Sequence, residues 1–525
     1  MPEYIRLKAD SYRAYIIIVL MGFTISFLLT SPLVTALSND KEIFRYIAML
    51  VSKGFVPYRD AFEQRPPIIF FLGALFAGSG WSFWLLFSTI VTISGVAFYK
   101  IAISVRSRCP YLCVAIYFLL LRWPRIAEGG QLAYELTAAF ATIITLLYVF
   151  RKNYSLILLG VLSAIVFFTQ QNDVLCLLPV IFYAIITRGI GKYNHRHEQI
   201  KIFAIDCVLV FLGFISIALI ISLYFLYRGA FQEFIYDTFI FSFYSYIGSS
   251  DVHTIGAMLF RTSRLLLWTG ILPVSLMVVI FNAYFVMRSK FGNRKIRDAV
   301  IVTTIAMILA IISANISGRY YPHYLLGYSA FLAIQIAAFT SFFDNKKLYR
   351  LLSYVLPLII IAMSLFSFWV NKENDLQKQG MVFHNTRDKI SAIYYSATHN
   401  ILEPYESMVA DMKGKDGQLY IIGNIHMGIL SMNTDLKIVA PSKWFGDISM
   451  FPDALMANGG FESIVIDRIE QNKTKYILDF SDDTTFRSSE RAMLWKRMLN
   501  KKYIKKTSII WDGKEGWLYV RYFNR

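Results

Sequence analysis

Two acids and two arginines lie close together within the segment 58–80, which reads YRDAFEQRPPIIFFLGALFAGSG. Arg59, Asp60, Glu63 and Arg65 directly precede two prolines and an apolar stretch. A carboxylate can take the proton of a reacting hydroxyl, and an arginine can hold a phosphate through two parallel hydrogen bonds. Ionisable side chains in apolar surroundings are costly, and they indicate function. What these groups do depends on the elements that position them.

The rest of the chain is apolar enough to cross a membrane many times. Of its 525 residues, 56% are hydrophobic and 17% are charged, whereas about 25% of the residues of a soluble protein are charged. The first apolar run extends past a signal-peptide core and has no small-residue cleavage site, so we predict that it is a true span. We predict eleven spans, at 14–36, 83–105, 109–122, 133–150, 154–169, 174–187, 202–227, 264–287, 299–315, 324–342 and 351–370.

The loops between these spans alternate in charge. Short basic loops, such as RSR at 106–108 and RSKFGNRKIR at 288–297, alternate with loops that hold acids and aromatic residues. The positive-inside rule places the basic set and the N-terminus in the cytoplasm. It also accounts for the net charge of +18 without a nucleic-acid partner. With eleven spans, the C-terminal segment lies on the periplasmic or extracellular side.

The C-terminal segment 371–525 differs in its sequence patterns from the membrane part, 1–370. QLYIIGN, TKYILDF and GWLYVRYF have the pattern of strands, and SERAMLWKRMLNKKY has that of a helix. We therefore predict a small α/β domain of about 150 residues. The sequence shows no Walker loop, Rossmann fingerprint or set of His and Cys residues at metal-ligand spacing, so we predict no required cofactor and no metal site.

The first outer loop contains two predicted helices. Asn39 and Glu42 form a capping-box pattern, and Gly54 suits a helix end. Between them, apolar residues recur on one face, which predicts an amphipathic helix on the outer membrane surface: Ile43, Phe44, Ile47, Leu50 and Val51. Pro66 and Pro67 suit the first turn of a second helix. Its run of about 15 residues is too short for a span, so we predict that it lies in the interface.

This loop resembles that of the GT-C integral membrane glycosyltransferases. An acid after the first span is followed by the pattern G-x-x-P-Y-R-D-x-F-E-x-R-P-P, and the likeness is strongest to the protein O-mannosyltransferases and the lipid A aminoarabinose transferase. GGQLAYEL at 129–136 lies where that family often carries another acid, and SGRYYPHYLL at 317–326 resembles a late outer loop of its bacterial members. The resemblance implies a GT-C-like polytopic α-helical membrane protein with juxtamembrane helices and an extracytoplasmic tail.

The resemblance also implies a reaction. A sugar carried by a polyprenyl phosphate moves to an acceptor hydroxyl, with inversion, on the outer face of a bacterial cytoplasmic membrane. The expected partners are this lipid-linked donor, a glycan or lipid-linked acceptor and membrane lipid. We expect the product to be a cell-surface glycan, such as O-antigen or another part of lipopolysaccharide. Some relatives bind a divalent cation, for which this sequence shows no dedicated ligand cluster.

Residue by residue, the resemblance implies roles that each have a structural alternative. Asp40 matches the first-loop acid and would be the general base, or else a favourable charge at a helix N-terminus. Arg65 stands where relatives contact the donor phosphate, or else it snorkels toward headgroups. Glu135 matches the second acid and would bind the acceptor or support the base, with Glu128 as its rival. Glu42 is a substrate-binding candidate, with the helix cap as the stronger interpretation.

The other charged residues of the outer loops are weaker candidates. Arg59 and Asp60 would bind substrate, or would pair with each other or with Glu63 in a structural network. In TQQND at 169–173, Asp173 is expected to cap span six, with substrate contact as the weaker alternative.

The late outer loop adds three residues to the predicted site. Arg319, Tyr320 and His323 would contact phosphate or sugar, or would belong to an aromatic belt with an anchoring arginine.

Two other functions would use the same apolar spans and charges. A transporter or flippase of a lipid-linked glycan also needs charged groups inside its bundle, but it needs no outer domain. A glycan polymerase has many spans and a large outer domain, which would normally interrupt the spans and not follow them.

Overall fold

The structure is a computed structural model. It describes residues 3–32, 39–76, 79–122, 132–151, 155–189, 196–242, 255–268, 271–288, 294–316, 321–342, 419–423, 465–481, 489–511 and 514–522. The predicted span 351–370 and the boundary between 370 and 371 lie outside these residues, so both stay predictions.

Helices make up most of the described chain. They are α1 (Glu3–Thr30), α2 (Asn39–Ser52), α3 (Ile68–Ala74), α4 (Gly80–Ser104), α5 (Pro110–Arg122), α6 (Leu132–Thr145), α7 (Leu156–Phe167), α8 (Leu178–Gly189), α9 (Arg196–Tyr227), α10 (Phe231–Ile235), α11 (Ile255–Trp268), α12 (Ile271–Arg288), α13 (Arg294–Asn315), α14 (Leu326–Thr340), α15 (Asp467–Gln471) and α16 (Ser489–Lys502). Wider π-helical turns extend α6 over Leu146–Phe150 and α10 over Tyr236–Ile240, and 3₁₀ turns precede α8 and α14 over Gln171–Leu177 and Pro322–Leu325.

Eight helical segments within the described residues are long and apolar enough to cross a membrane, which makes this a multi-pass membrane protein. They are Tyr12–Thr30, Gly80–Ser104, Leu132–Phe150, Gln171–Arg188, His197–Tyr227, Ile271–Arg288, Arg294–Asn315 and His323–Thr340. Two shorter apolar helices, Pro110–Arg122 and Leu156–Phe167, coincide with predicted spans that are also short.

One predicted span corresponds to two described helices. Within the predicted span 264–287, α11 extends to Trp268 and α12 runs from Ile271, and the two residues between them lie outside the described part of the chain. The continuity of this span therefore stays a prediction.

The short helix α3 confirms the prediction that the segment after the two prolines does not cross the membrane. It has seven residues, which corresponds to a length of about 10 Å. Gly73 allows α3 to approach α2 and α4, because a Cβ atom on Gly73 would lie 2.8 Å from Cβ of Ala48 and 2.2 Å from the ring of Phe83. The loop therefore folds back onto the protein at this point, while the direction in which the following spans cross the membrane stays a prediction.

The tail contains a four-stranded sheet, whose strands are β1 (Leu419–Gly423), β2 (Tyr476–Phe480), β3 (Tyr503–Trp511) and β4 (Lys514–Arg521). Their order is β1-β2-β4-β3, with β1 parallel to β2 and the other pairs antiparallel. Trp495 of α16 is fully buried and donates its ring N–H to Asp479 of β2 at 2.9 Å. The predicted α/β fold of the tail is confirmed, although the sequence pattern did not identify β3.

The tail touches the first outer loop. Phe62 packs against the apolar cluster formed by β1, β2, α15 and α16, which includes Tyr420 and Trp495. On its other side, the ring of Phe62 lies edge to face with Phe241, with 5.0 Å between the ring centroids. Phe62 therefore joins the tail to the membrane part within three residues of Arg65.

Candidate functional site

Helix α2 is enclosed by protein, which corrects the prediction of a helix lying on the membrane surface. Its apolar face packs against α3, α4 and α6, and on its other face Lys41, Glu42 and Arg45 are each less than 5% exposed. Asp40 belongs to the first turn of α2, but its side chain is outside the part that the structure describes. The residues that follow Asp40 in the first turns of α2 therefore form a buried charged cluster.

Glu42 and Arg45 form an ion pair within this helix. Arg45 Nη1 donates to Glu42 Oε2 at 2.6 Å. The Arg45 guanidinium lies beside the start of α4, where a Cβ atom on Gly80 would be 3.3 Å from Arg45 Cζ. The sequence favoured a helix cap for Glu42, but α2 already begins at Asn39 and the Glu42 carboxylate holds an arginine. Glu42 therefore anchors Arg45 between α2 and α4.

A second buried ion pair joins α5 to α6. Arg122, the last residue of α5, donates from Nη1 to Oε2 of Glu135 in the first turn of α6 at 2.7 Å. The two side chains are 1% and 0% exposed. Glu135 was predicted as a site residue, whereas its partner was not. Arg122 could have been found because a basic residue at the outer end of a span opposes the positive-inside rule.

Lys41 connects the two pairs into one cluster. Burial lowers the pKa of Lys41, while the charges of Glu42 and Glu135 raise this pKa, and those of Arg45 and Arg122 lower it. Among the described side chains, this outer cluster (Lys41, Glu42, Arg45, Arg122 and Glu135) holds three basic and two acidic groups. It thus has one positive charge in excess when all five are ionised, immediately beside Asp40.

Arg65 is held inside the first outer loop. Its Nη1 lies 3.2 Å from Glu63 Oε1, its guanidinium lies 5.1 Å from the ring centroid of Phe44 on α2, and its side chain is 13% exposed. Glu63 also accepts from the backbone N–H groups of Gln64 and Arg65 at 2.9 and 3.2 Å. This geometry does not support snorkelling toward headgroups, because the side chain turns back onto α2.

Tyr58 fixes the loop that carries Arg65, a role that no sequence pattern indicated. Its backbone has φ 70°, which is rare for a residue with a bulky side chain. The side chain is fully buried, and its hydroxyl donates to the Arg65 carbonyl at 2.8 Å. The ring packs against Phe225 and Phe234, with centroids 5.2 and 5.4 Å away. Such strain persists only where the surroundings enforce it.

Arg59 and Asp60 form the local network that was one of the two interpretations of their sequence pattern. Arg59 donates from Nε and Nη2 to the two carboxylate oxygens of Asp60 at 3.0 and 2.9 Å. Asp60 also accepts from Val56 N–H at 2.7 Å, and Arg59 Nη1 reaches the Arg228 carbonyl at 2.9 Å. These bonds tie the loop to the end of α9 and give both residues a structural task.

The late outer loop lies beside the start of α6. His323 is 4% exposed, and its ring stacks on Tyr321 and lies 4.9 Å from that of Tyr134, the neighbour of Glu135. The fold thus brings His323 to the turn of α6 that carries Glu135. Arg319 and Tyr320, like Glu128 of the second loop, lie outside the described residues, and their roles stay predictions.

Asp173 does not cap its helix as predicted. It is 5% exposed, and its carboxylate accepts a hydrogen bond from the hydroxyl of Thr137 on α6.

No group of three or more His, Cys, Asp or Glu side chains with the arrangement of a metal site occurs within the described ranges.

Comparison with known proteins supports the fold expected from the sequence. No protein-family model matches the chain, and no curated protein matches it. The chain is similar to the crystal structure of ArnT from Cupriavidus metallidurans bound to undecaprenyl phosphate, with a TM-score of 0.55, 12% identity and 97% of each chain covered. It is also similar to the apo state of the same ArnT, with a TM-score of 0.55, 14% identity and coverage of 97% of this chain and 98% of that one. The predicted fold, a polytopic helical membrane protein with a small α/β tail, is therefore confirmed, and the chain shares this fold with ArnT.

Proposed function

We propose that this protein is a membrane glycosyltransferase that transfers a sugar from a polyprenyl-phosphate donor to an acceptor hydroxyl. The observation that carries the proposal is the outer cluster. In it, acidic and basic side chains from α2, α5 and α6 lie together near the end of α2 that carries Asp40. The likeness to ArnT over 97% of the chain supports it, because that protein was crystallised with undecaprenyl phosphate. No required cofactor and no metal ion enter the proposal.

In this mechanism, Asp40 is the general base. Its carboxylate takes the proton of the acceptor hydroxyl while the hydroxyl oxygen attacks the anomeric carbon, and the bond to the donor phosphate breaks with inversion. The excess positive charge of the outer cluster favours anionic groups next to it. Both the ionised base and the phosphate that departs are such groups.

Arg65 binds the phosphate of the donor. Its guanidinium is already fixed by Glu63 and by the ring of Phe44, so little side-chain entropy is lost when the phosphate binds. Tyr58 holds the backbone at this position. The apolar surfaces of the spans, which face lipid, accommodate the polyprenyl tail.

The reaction takes place on the outer side of the membrane in this proposal. The basic loops orient the N-terminus toward the cytoplasm, which places the outer cluster and the tail in the periplasm of a bacterial cell. The acceptor is a cell-surface glycan or a lipid-linked precursor of one. The class of the sugar, hexose or pentose, is open to direct measurement.

Substituting Asp40→Asn tests the proposal. Cells that carry the variant should lose one sugar from their surface glycan, as measured by mass spectrometry against cells with the wild-type protein. The purified variant should still bind undecaprenyl phosphate. Full glycosylation by Asp40→Asn would show that Asp40 is not the base, and an unchanged glycan in cells without the protein would contradict the transferase function itself.

Arg65→Ala tests the phosphate contact. Its affinity for undecaprenyl phosphate should fall by about tenfold to a hundredfold, the range expected for a hydrogen bond to a charged group. Arg59→Ala is a suitable control, because Arg59 lies in the same loop and is bonded to Asp60 and a backbone carbonyl. Equal affinities for the two variants would remove Arg65 from the site.

A further inference from the structure

The ion pair of Arg122 and Glu135 uses only part of its hydrogen-bonding capacity. A single bond joins Arg122 Nη1 to Glu135 Oε2 at 2.7 Å. Arg122 Nε, Arg122 Nη2 and Glu135 Oε1 are all buried and have no hydrogen-bond partner among the described residues. Two nitrogen donors and one oxygen acceptor of the pair are therefore available.

Such an arrangement is costly unless something completes it. Each buried donor or acceptor that is left unsatisfied costs about 1–3 kcal/mol, and charged groups cost more. Arginine and carboxylate groups commonly satisfy each other through two parallel bonds. Here the two groups meet through one bond, which leaves the Nε–Nη2 edge of Arg122 and one carboxylate oxygen of Glu135 for another molecule.

The available atoms define the chemistry of that molecule. A phosphate or carboxylate offers acceptors only, so it would leave Glu135 Oε1 without a donor and would be repelled by that carboxylate. A hydroxyl group can donate one hydrogen bond and accept others. Two neighbouring hydroxyl groups can thus accept from both nitrogens of Arg122 and donate to Glu135, which is the pattern that a sugar ring presents.

We infer that Arg122 and Glu135 form a subsite for the hydroxyl groups of the transferred sugar. This inference rests on the proposed function and adds to it the residues that bind the hydroxyl groups of the sugar. The position of the pair agrees with binding of the sugar next to the base. The charges of Arg122 and Glu135 influence the pKa of Lys41, and Lys41 directly follows Asp40 in the first turn of α2. The sugar would thereby be held beside the base, whereas Arg65 holds the phosphate.

Two lipids separate recognition of the sugar from recognition of the phosphate. The full-length protein in lipid nanodiscs is titrated with undecaprenyl phosphate and with synthetic undecaprenyl-phosphate monosaccharides, both hexoses and pentoses. At least one sugar-bearing lipid should bind the wild-type protein more tightly than undecaprenyl phosphate does. In Arg122→Gln this advantage should fall by about tenfold to a hundredfold, while the affinity for undecaprenyl phosphate stays within about twofold.

Two further variants allow for a folding defect in Arg122→Gln. Glu135→Gln keeps an oxygen for the bond from Arg122 but removes the anionic acceptor, so it should reduce the same advantage. Arg188→Gln is the control for the loss of an interhelical ion pair, because Arg188 on α8 pairs with Asp206 on α9 at 3.2 Å. This control should bind both lipids as the wild-type protein does.

The alternatives give different results. If Arg122→Gln or Glu135→Gln weakens the binding of both lipids equally, the pair contacts the phosphate and the sugar subsite is wrong. If neither variant changes any affinity, or if no sugar-bearing lipid binds more tightly than undecaprenyl phosphate, the pair encloses only solvent and the inference fails. Transfer by Asp40→Asn would refute the proposed base, but it would leave the binding result for the sugar subsite standing.

Discussion

The first outer loop and the outer cluster both contain pairs of acids and arginines, but they are built differently. In the loop, Arg59 and Asp60 are neighbours in the sequence, and their side chains are 41% and 23% exposed. In the cluster, Arg122 and Glu135 come from two helices and are 1% and 0% exposed. The loop pair shapes the local backbone, whereas the cluster pair has buried nitrogen and oxygen atoms without a hydrogen-bond partner among the described residues.

This difference in burial sets how much each pair contributes to stability. An exposed ion pair in high dielectric contributes about 0–1 kcal/mol, so its purpose in the loop is mainly geometric. A buried charge that loses its partner costs about 3–5 kcal/mol. A buried charge with such a cost is retained where the group has a structural or functional role. Four substitutions, from the largest expected effect to the smallest, measure the contrast between the two regions.

Glu135→Ala should have the largest effect on stability. It leaves the Arg122 guanidinium buried without its carboxylate, which should lower the free energy of unfolding by about 3–5 kcal/mol. Unfolding of the purified protein in mixed micelles measures the loss. The double variant Arg122→Ala/Glu135→Ala should recover part of it, and an effect below about 1 kcal/mol would show that the pair is solvated like the loop pair.

Phe62→Ala should weaken the contact between the tail and the first outer loop. Its ring is partly buried between the tail cluster and Phe241, so the cost should be about 1–2 kcal/mol, below the 3–5 kcal/mol of a fully buried ring. Limited proteolysis should cleave the variant faster between the last span and the tail. Ile504→Ala is the control, because this residue of β3 is 48% exposed and should not change the cleavage rate.

Tyr58→Phe should affect binding more than stability. It removes the hydroxyl that donates to the Arg65 carbonyl but keeps the ring among Phe225 and Phe234. Loss of one hydrogen bond costs about 1 kcal/mol. We expect the affinity for undecaprenyl phosphate to fall roughly fivefold with little change in the unfolding transition. Wild-type affinity would mean that Arg65 is positioned by Glu63 alone.

Arg59→Ala should have the smallest effect. The exposed bonds to Asp60 and to the Arg228 carbonyl should contribute less than about 1 kcal/mol to stability, and less still at high salt. Asp60→Ala should cost more, because Val56 N–H then loses its acceptor. If Arg59→Ala destabilises the protein as strongly as Glu135→Ala does, the contrast between loop and cluster is wrong.

Much of the fold could be predicted from the sequence because its signals are local. Apolar runs predicted the described spans, and alternating residues predicted three of the four strands. The length of the segment after Pro67 indicated that α3 does not cross the membrane. The local pairs of the first outer loop were also open to prediction, since Arg59 adjoins Asp60 and Glu63 is two residues from Arg65.

The site was predicted only in part. Glu135 was identified through a family likeness, but Arg122 was assigned only to the end of a span, and Tyr58 and Lys41 were not singled out at all. Asp173 was expected to cap a helix, yet it accepts from Thr137 on another span. Arg122 and Asp173 have their partners on another helix, and the ring of Tyr58 packs against Phe225 and Phe234, which lie far along the chain. Helical periodicity carries no information about such partners.

The sequence by itself determined that this protein is a multi-pass membrane protein with an α/β tail and a charged first outer loop. Those features follow from hydrophobic length, from periodicity and from the types of neighbouring residues. Only the tertiary structure decided which charges become buried together and which of their atoms lack a hydrogen-bond partner among the described residues. That outcome depends on how α2, α5 and α6 pack, because burial and hydrogen-bond geometry arise between helices and not within them.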